Sequence, residues 1–420
     1  MGSTKIVSTE AFRSLVDSRI RELARLAALI GFSGSGPQCF SRPLLGGVLS
    51  EATQLEELLD AYGARHNSYW YPLRHAAAAL KLFANASYIL QHILHFLPTY
   101  RLLPLEVDFA AAATQALEFT CRILTVSARS LLRTARELQL QPPGQAPASE
   151  RFADELPDGR LAPDRASHKI ASPEETVVHL ATAFLNLAEE AGFIHVARDE
   201  RPEGYADLIP DPISEERLRS LEQKFHNLQS LYDTHISDSN MESLDERLPV
   251  LRGHISVTYH LLETATAFAH YCERHILSFA PGSRRPRGEI VNAVRLLAVL
   301  MRFSLAFASR YILVTRSLCH EMLKAYAIQG RIDVPVPRYR GFHVRPSTLV
   351  ARIVGHYGSE VTMELEGESY NAGVTLDLFR ANERINARKK RRLGEEVHRV
   401  LGAEGSDEES EDLDVGDAAT

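Results

Sequence analysis

The chain has 420 residues, a length that usually divides into two or three domains, because single cores rarely grow beyond about 250 to 300 residues. Hydrophobic residues make up 45% and charged residues 24%, which is the range of folded soluble proteins and excludes a largely disordered chain. Much of the net charge of -7 comes from the acidic segment 405–417, so the rest of the chain is close to neutral. A near-neutral body argues against a dedicated nucleic-acid-binding protein, which needs a basic face.

The cysteines favour a reducing compartment. They lie far apart and form no CxxC or zinc-type spacing: Cys39, Cys121, Cys272 and Cys319. Such a pattern is typical of free thiols and not of a disulfide scaffold. Met1–Glu10 lacks the apolar core of a secretory signal. We therefore expect a cytoplasmic protein.

Most of the chain has the apolar spacing of helices. From Ser8 to Gln139, apolar residues recur every three or four positions, the period of an amphipathic helix. Proline, glycine and serine dominate 141–171, which predicts a linker or long loop. Helical spacing resumes with Ser172 and Pro173, a typical N-cap and first helical residue. We therefore predict a mostly α protein, with one half of a large helical bundle at 1–140 and a second half at 172–328.

The two helical halves resemble each other in short stretches. The triplet at 92–94 (His-Ile-Leu) recurs at 275–277, and a pattern of arginine, apolar residues and threonine at 129–134 recurs at 310–315. An internal duplication and chance similarity between helical segments are both consistent with these matches. Either origin predicts an all-helical bundle for this region.

One segment, Val294–Val314, is apolar over the length of a membrane span. It contains Arg295, Arg302 and Arg310, and each arginine near a bilayer centre costs about 2.5 to 3.5 kcal/mol on insertion scales. A buried helix of the bundle is therefore the preferred interpretation, and we predict no membrane span.

The helical region contains no residue pattern that identifies a substrate. His92 with His95, and Glu263 with His270 and Glu273, share helix faces but lack the paired Glu-x-x-His motifs of di-iron bundles. The aromatic and basic cluster at 65–74, around Trp70, either lines a ligand or partner surface or packs the start of a helix, and we favour packing. We predict no metal and no cofactor, and a helical module that binds an unidentified partner.

The pattern changes after Gln329 and Gly330, where a helix should stop. Ile332, Val334 and Val336 alternate with Asp333 and two prolines, which predicts an edge strand. A helix is expected from Pro346 to His356, followed by a hairpin of Glu360–Leu365 and Glu368–Ala372. This predicts a small α+β domain at 329–402, and the acidic residues 403–420 should form a disordered tail.

The junction between the predicted strand and helix carries a chemical motif: Gly341, Phe342, His343, Val344, Arg345 and Pro346. Pro346 suits the first turn of a helix, which places His343 just ahead of free N–H groups that favour an anion. A neutral imidazole is a nucleophile near pH 7, and Arg345 can hold a phosphoryl group with two hydrogen bonds. Ser347 and Thr348 could add hydroxyl donors. The motif therefore predicts a phosphoryl acceptor at His343.

With this motif the segment Ile332–Leu401 resembles the histidine phosphocarrier family, HPr. The family motif is glycine, an apolar residue, histidine, a small residue, arginine and proline. The similarity continues through 358–364 and 366–372, at the spacing of the family's second and third strands. The resemblance implies an open-faced sandwich whose histidine is phosphorylated on Nδ1 by an enzyme I type donor, charged from phosphoenolpyruvate. The phosphoryl group would pass to a sugar-transport component or regulatory protein, so the chain would be a phosphoryl carrier and not a turnover enzyme.

Within the resemblance, His343 is the carrier, Arg345 stabilises the phosphoryl group, and Gly341 and Pro346 are structural supports. The family's regulatory serine falls on Val374, and the segment after Phe379 is predicted as helix where the family has a fourth strand. An alternative function is therefore a scaffold or regulatory protein whose degenerate HPr-like domain is a docking surface that is not phosphorylated.

Overall fold

The computed structural model describes residues 6–141, 173–237, 239, 241–277, 290–326, 330–335, 342–357 and 360–404. The chain divides into two compact units, Met1–Met322 and Leu323–Thr420. The predicted linker, apart from Gln141, lies outside the described residues.

The first unit begins with four long helices: α1 (Thr9–Ser33), α2 (Arg42–Ala61), α3 (Tyr71–Phe96) and α4 (Phe109–Glu137). Three of them start at a polar cap, because the side chains of Ser8, Ser41 and Asp108 each accept a hydrogen bond from a backbone N–H in the first turn. α3 packs against α2, α4 and a later helix, α9 (Arg247–Tyr271), and the alanines near its start are buried. Alanine lets these helices approach closely, which makes α3 the centre of the unit.

The rest of this unit is also helical in the residues that the structure describes. Its helices are α5 (Pro173–Glu190), α6 (Val196–Asp199), α7 (Glu215–His235), α8 (Met241–Leu244), α9 (Arg247–Tyr271), α10 (Ala293–Val299) and α11 (Ala306–Tyr326). A π-helical turn, Cys272–Ile276, extends α9, and another, Leu300–Leu305, joins α10 to α11. Pro173 is the first helical residue of α5, as predicted. The prediction of a helical bundle is confirmed for the described residues, while a duplication of its halves stays a prediction.

Two helical segments have the length and hydropathy of a membrane span: Glu174–Asp199 and Ala293–Tyr326. Their most apolar windows are 50% and 67% buried inside the protein, respectively. Core helices of soluble proteins share this composition, so the two segments are weak evidence for a membrane protein. The predicted absence of a membrane span stays a prediction.

The second unit contains α12 (Val344–Tyr357), a hairpin of β1 (Thr362–Leu365) and β2 (Glu368–Asn371), and α13 (Thr375–Glu404). The antiparallel strands pair Thr362 with Asn371 and Leu365 with Glu368. The turn residues Glu366 and Gly367 both have positive φ, 55° and 82°, as a two-residue turn that matches the strand twist requires. The predicted hairpin is therefore confirmed.

The helices of the second unit pack around this small sheet. α13 contacts both α12 and β2. The buried face of α13 consists of Leu378, Ala381, Asn382 and Ile385, and Tyr370 of β2 is also buried. In contrast, residues 391–401 of α13 are exposed along their whole length. α13 also includes Ala403 and Glu404, which the sequence analysis places in the disordered tail. The rest of the predicted tail, 405–420, lies outside the described residues.

The edge strand predicted at 332–336 is wrong for the residues that the structure describes. Residues 330–335 form neither helix nor strand, and the described part of this unit contains a two-stranded sheet. Pro335 and Pro337 lack the N–H donors that a strand ladder uses. A strand also needs a neighbouring strand to supply hydrogen bonds, which apolar alternation alone does not provide.

Candidate functional site: the turn that carries His343

His343 lies directly before the first residue of α12 and is exposed to solvent. Its carbonyl oxygen accepts a hydrogen bond from the N–H of Ser347 at 3.1 Å, which is the first hydrogen bond of the helix. His343 is therefore the N-cap residue of α12. The backbone N–H groups of a first helical turn have no intrahelical acceptor, and with the helix dipole they favour an anion beside the imidazole.

Arg345 is the second residue of α12 and is exposed. Pro346 is the third residue and not the first, because the helix begins at Val344, two residues earlier than predicted. Proline fits both places, since no N–H in the first turn has an intrahelical acceptor. α12 also contains exposed Arg352 and no carboxylate. The helix therefore contributes only positive charge to the surroundings of His343.

The two hydroxyls predicted to contact a phosphoryl group are bonded elsewhere. Ser347 is fully buried, and its hydroxyl donates to the carbonyl oxygen of Phe342 at 2.7 Å. The hydroxyl of Thr348 donates to the carbonyl oxygen of Val344 at 2.8 Å. Neither hydroxyl proton is available to an anion at His343 in this arrangement. Gly341, the predicted structural support, lies outside the described residues.

A residue that the sequence did not single out also contacts this turn. The N–H of Phe342 donates to the Oδ1 atom of Asn382 at 2.8 Å. Asn382 lies on α13, 40 positions further along the chain, and only 7% of it is exposed. Asparagine is common on polar helix faces, so its position in the sequence carries no signal of this contact.

A polar cavity of about 450 Å³ lies elsewhere in the second unit, between β2 and the start of α13. It is lined by Glu368, Ser369, Tyr370, Asp377, Arg380 and Arg384. Arg384 pairs with Glu368, and Arg380 pairs with Asp377 at 3.5 Å. The charges in this cavity therefore balance, and its lining includes no residue of the His343 turn.

The helical unit contains a buried ion-pair network around Arg74 of α3, which is 6% exposed. Its guanidinium group donates two hydrogen bonds to the carboxylate of Asp60, at 2.9 and 2.8 Å, and pairs with Glu56 at 3.0 Å. Lys81 pairs with the other oxygen of Glu56. The hydrogen bond from Arg74 lowers the pKa of Asp60. These mutual pairings join α2 to α3 and favour a structural role for the network.

Several histidines of the helical unit are buried or half-buried, and burial lowers the pKa of each. Burial lowers the pKa of His75 to about 4, and burial together with the nearby charge of Arg74 lowers that of His275 to about 2. Burial and the adjacent His260 ring lower the pKa of His92 to about 4. Within the described parts of the chain, no group of three or more histidine, cysteine, aspartate or glutamate side chains could hold a metal ion.

The cluster around Trp70 packs the start of α3. Trp70 is buried, with its ring 4.8 Å from that of Phe12 in an edge-to-face arrangement. The side chain of Asn67 accepts hydrogen bonds from the N–H groups of Tyr69 and Trp70. These hydrogen bonds pair two backbone N–H groups of the turn before α3. The contacts support the packing interpretation over a ligand or partner surface.

The turn at His343 thus combines an exposed nucleophile, a nearby arginine and the N-terminus of a 14-residue helix. An imidazole ahead of a helix N-terminus, with an arginine in the first turn, can accept a phosphoryl group, because N–H donors and a guanidinium group stabilise added negative charge. Comparisons of the chain with protein-family models, with curated proteins and with solved structures find no match.

Proposed function

We propose that residues 329–402 form an HPr-like domain that accepts a phosphoryl group on His343 and passes it to a transport component or a regulatory protein. This proposal rests on the exposed imidazole at the N-cap of α12, with Arg345 exposed in the first turn. The order of motif, helix, hairpin and helix along the chain supports it further, because the same order follows the active-site histidine in the HPr family.

In this proposal, the Nδ1 atom of neutral His343 attacks the phosphorus of a donor phosphohistidine. A new N–P bond forms, the N–P bond of the donor breaks, and its electron pair returns to the donor imidazole. Arg345 and the free N–H groups at the start of α12 balance the charge of the transferred group. Transfer to the acceptor protein reverses these roles at His343.

The donor we propose is a cytoplasmic protein of the enzyme I type, which would dock beside His343. Leu349 and Ile353 lie one helical turn apart on α12, and both are exposed. Together with Arg345 they offer a mixed apolar and basic surface, which suits a protein partner with an acidic rim. The helical unit would bind a second, unidentified protein.

The test is labelling of purified full-length protein with radioactive phosphoenolpyruvate and an enzyme I from the same source. We expect one acid-labile, base-stable phosphoryl group per chain. His343→Ala should abolish labelling, because it removes the nucleophile. His356→Ala is the matched control, since His356 is an exposed histidine at the other end of α12, and this variant should label like the wild type.

Arg345→Ala should slow transfer about tenfold or more, because a hydrogen bond to a charged group contributes about 1.5 to 3 kcal/mol. Labelling that survives in His343→Ala would place the phosphoryl group elsewhere and refute the assignment.

The second candidate function is a docking domain that is not phosphorylated. The observation that favours it is the two-stranded sheet in the described residues, where the HPr family has four strands. A wild-type protein that takes up no label in the presence of a matched, active donor would establish this alternative over the carrier.

A further inference from the structure

The backbone on either side of His343 is held at three points. The N–H of Phe342 donates to Asn382, its carbonyl oxygen accepts from the Ser347 hydroxyl, and the carbonyl oxygen of His343 accepts from the Ser347 N–H. The last two contacts come from α12 itself. Of these three contacts, the one with Asn382 ties the turn to a different helix.

Asn382 is a buried polar residue on an otherwise apolar face. Its buried neighbours on α13 are Leu378, Ala381 and Ile385, with exposed fractions of 1%, 0% and 6%. A side-chain amide placed among such residues costs free energy unless it is hydrogen-bonded. The 2.8 Å contact with Phe342 supplies that hydrogen bond. The surrounding apolar side chains also restrict the amide, so Asn382 holds the backbone at Phe342 in one position.

The nearest described residues before the turn, 330–335, form no strand that could anchor it. They give the turn no ladder of hydrogen bonds to a sheet. Helix α13 therefore anchors the turn through the hydrogen bond from the Phe342 N–H to Asn382.

We propose that Asn382 is a positioning residue for phosphoryl transfer, acting through the Phe342 N–H to fix the orientation of His343 at the start of α12. This inference rests on the proposed function of His343. Asn382 does not touch the reacting atoms in this role. Its effect is geometric, because transfer between two proteins requires the imidazole to lie in line with the donor phosphorus, and small displacements lower the rate strongly.

The test compares four full-length proteins: wild type, Asn382→Leu, Asn382→Asp and Asn386→Leu. Leucine branches at the same carbon as asparagine, is somewhat larger and removes the acceptor, while aspartate keeps an acceptor oxygen at the same place. Asn386 lies one turn further along α13 and serves as the matched control. Two quantities are measured: the rate of His343 labelling by enzyme I, and the hydrogen-exchange rate of the Phe342 amide by NMR.

We expect Asn382→Leu to label about three- to tenfold more slowly than the wild type, which corresponds to one neutral hydrogen bond. The Phe342 amide should exchange faster in this variant. Asn382→Asp should restore both rates to within about twofold of the wild type, which a general loss of packing would not allow. Asn386→Leu should match the wild type in both measurements.

Wild-type labelling rates in Asn382→Leu would overturn the inference and leave the proposed function intact, provided that circular dichroism shows an unchanged fold. If wild-type protein takes no label, either from enzyme I or from potassium phosphoramidate as a chemical donor, the proposed function fails, and the positioning role fails with it. The exchange rate of the Phe342 amide then still decides whether Asn382 holds the turn.

Discussion

Lowering the pH should destabilise the helical unit through His254 of α9. This side chain is fully buried. Its Nε2 atom accepts a hydrogen bond from the N–H of Leu103 at 2.9 Å, and its Nδ1 atom lies 2.6 Å from the hydroxyl oxygen of Thr315. That hydroxyl donates its own proton to the carbonyl oxygen of Tyr311. The partners therefore fix the neutral tautomer with its proton on Nδ1.

Protonation at Nε2 would remove the acceptor of the Leu103 N–H and place two N–H donors against each other. Burial lowers the pKa of His254 to about 4 in the folded protein, against about 6.5 in the unfolded chain. Because the unfolded state binds the proton first, the stability that neutral His254 provides is complete above about pH 7.5. It is lost as the pH falls from about 6.5 toward 4. At pH 5 the expected loss from this one group is about 2 kcal/mol relative to pH 8.

The assay is urea unfolding followed by circular dichroism at pH 8 and pH 5, for wild type and His254→Gln. Glutamine can offer an oxygen to the Leu103 N–H and does not titrate. Other buried histidines contribute equally to both proteins, so the difference between the two pH dependences isolates His254. We expect the wild type to lose about 2 kcal/mol more than the variant. An equal loss in both proteins would refute the assignment of a buried, neutral His254.

Two further substitutions test the packing of each unit. Val374 directly precedes α13, and its carbonyl oxygen accepts the first helical hydrogen bond, from Leu378. Val374→Ser should therefore add a side-chain N-cap and raise the free energy of unfolding of the second unit by about 1 kcal/mol. Val374→Ala is the control, and thermal unfolding that shows no gain for serine would contradict the proposed N-cap. Arg74→Met should cost the helical unit about 1.5 to 3 kcal/mol, because it removes the shared partner of Asp60 and Glu56, although Glu56 keeps its pairing with Lys81. A loss below about 1 kcal/mol in urea unfolding would show that the network contributes little.

The sequence by itself determined the features that depend on neighbouring residues. Apolar spacing identifies the helices, and Pro173 marks the start of α5, because both signals act within a few residues of the chain. The pair Glu366 and Gly367 defines the hairpin turn for the same reason. The motif around His343 likewise predicts a helix start next to the imidazole. The helix begins two residues earlier than expected, since proline is compatible with several positions of the first turn.

Only the tertiary structure decided the contacts between residues distant in the chain. Asn382 reaches Phe342 across 40 positions, and His254 receives the Leu103 N–H across 151. Neither partner has a residue type that would distinguish it from other polar helix residues. The absence of the predicted strand from residues 332–335 also depends on tertiary structure, because a strand forms only when a neighbouring strand supplies hydrogen bonds. Apolar alternation is a local property, whereas strand pairing, burial and the pKa of a buried histidine depend on what the fold brings alongside.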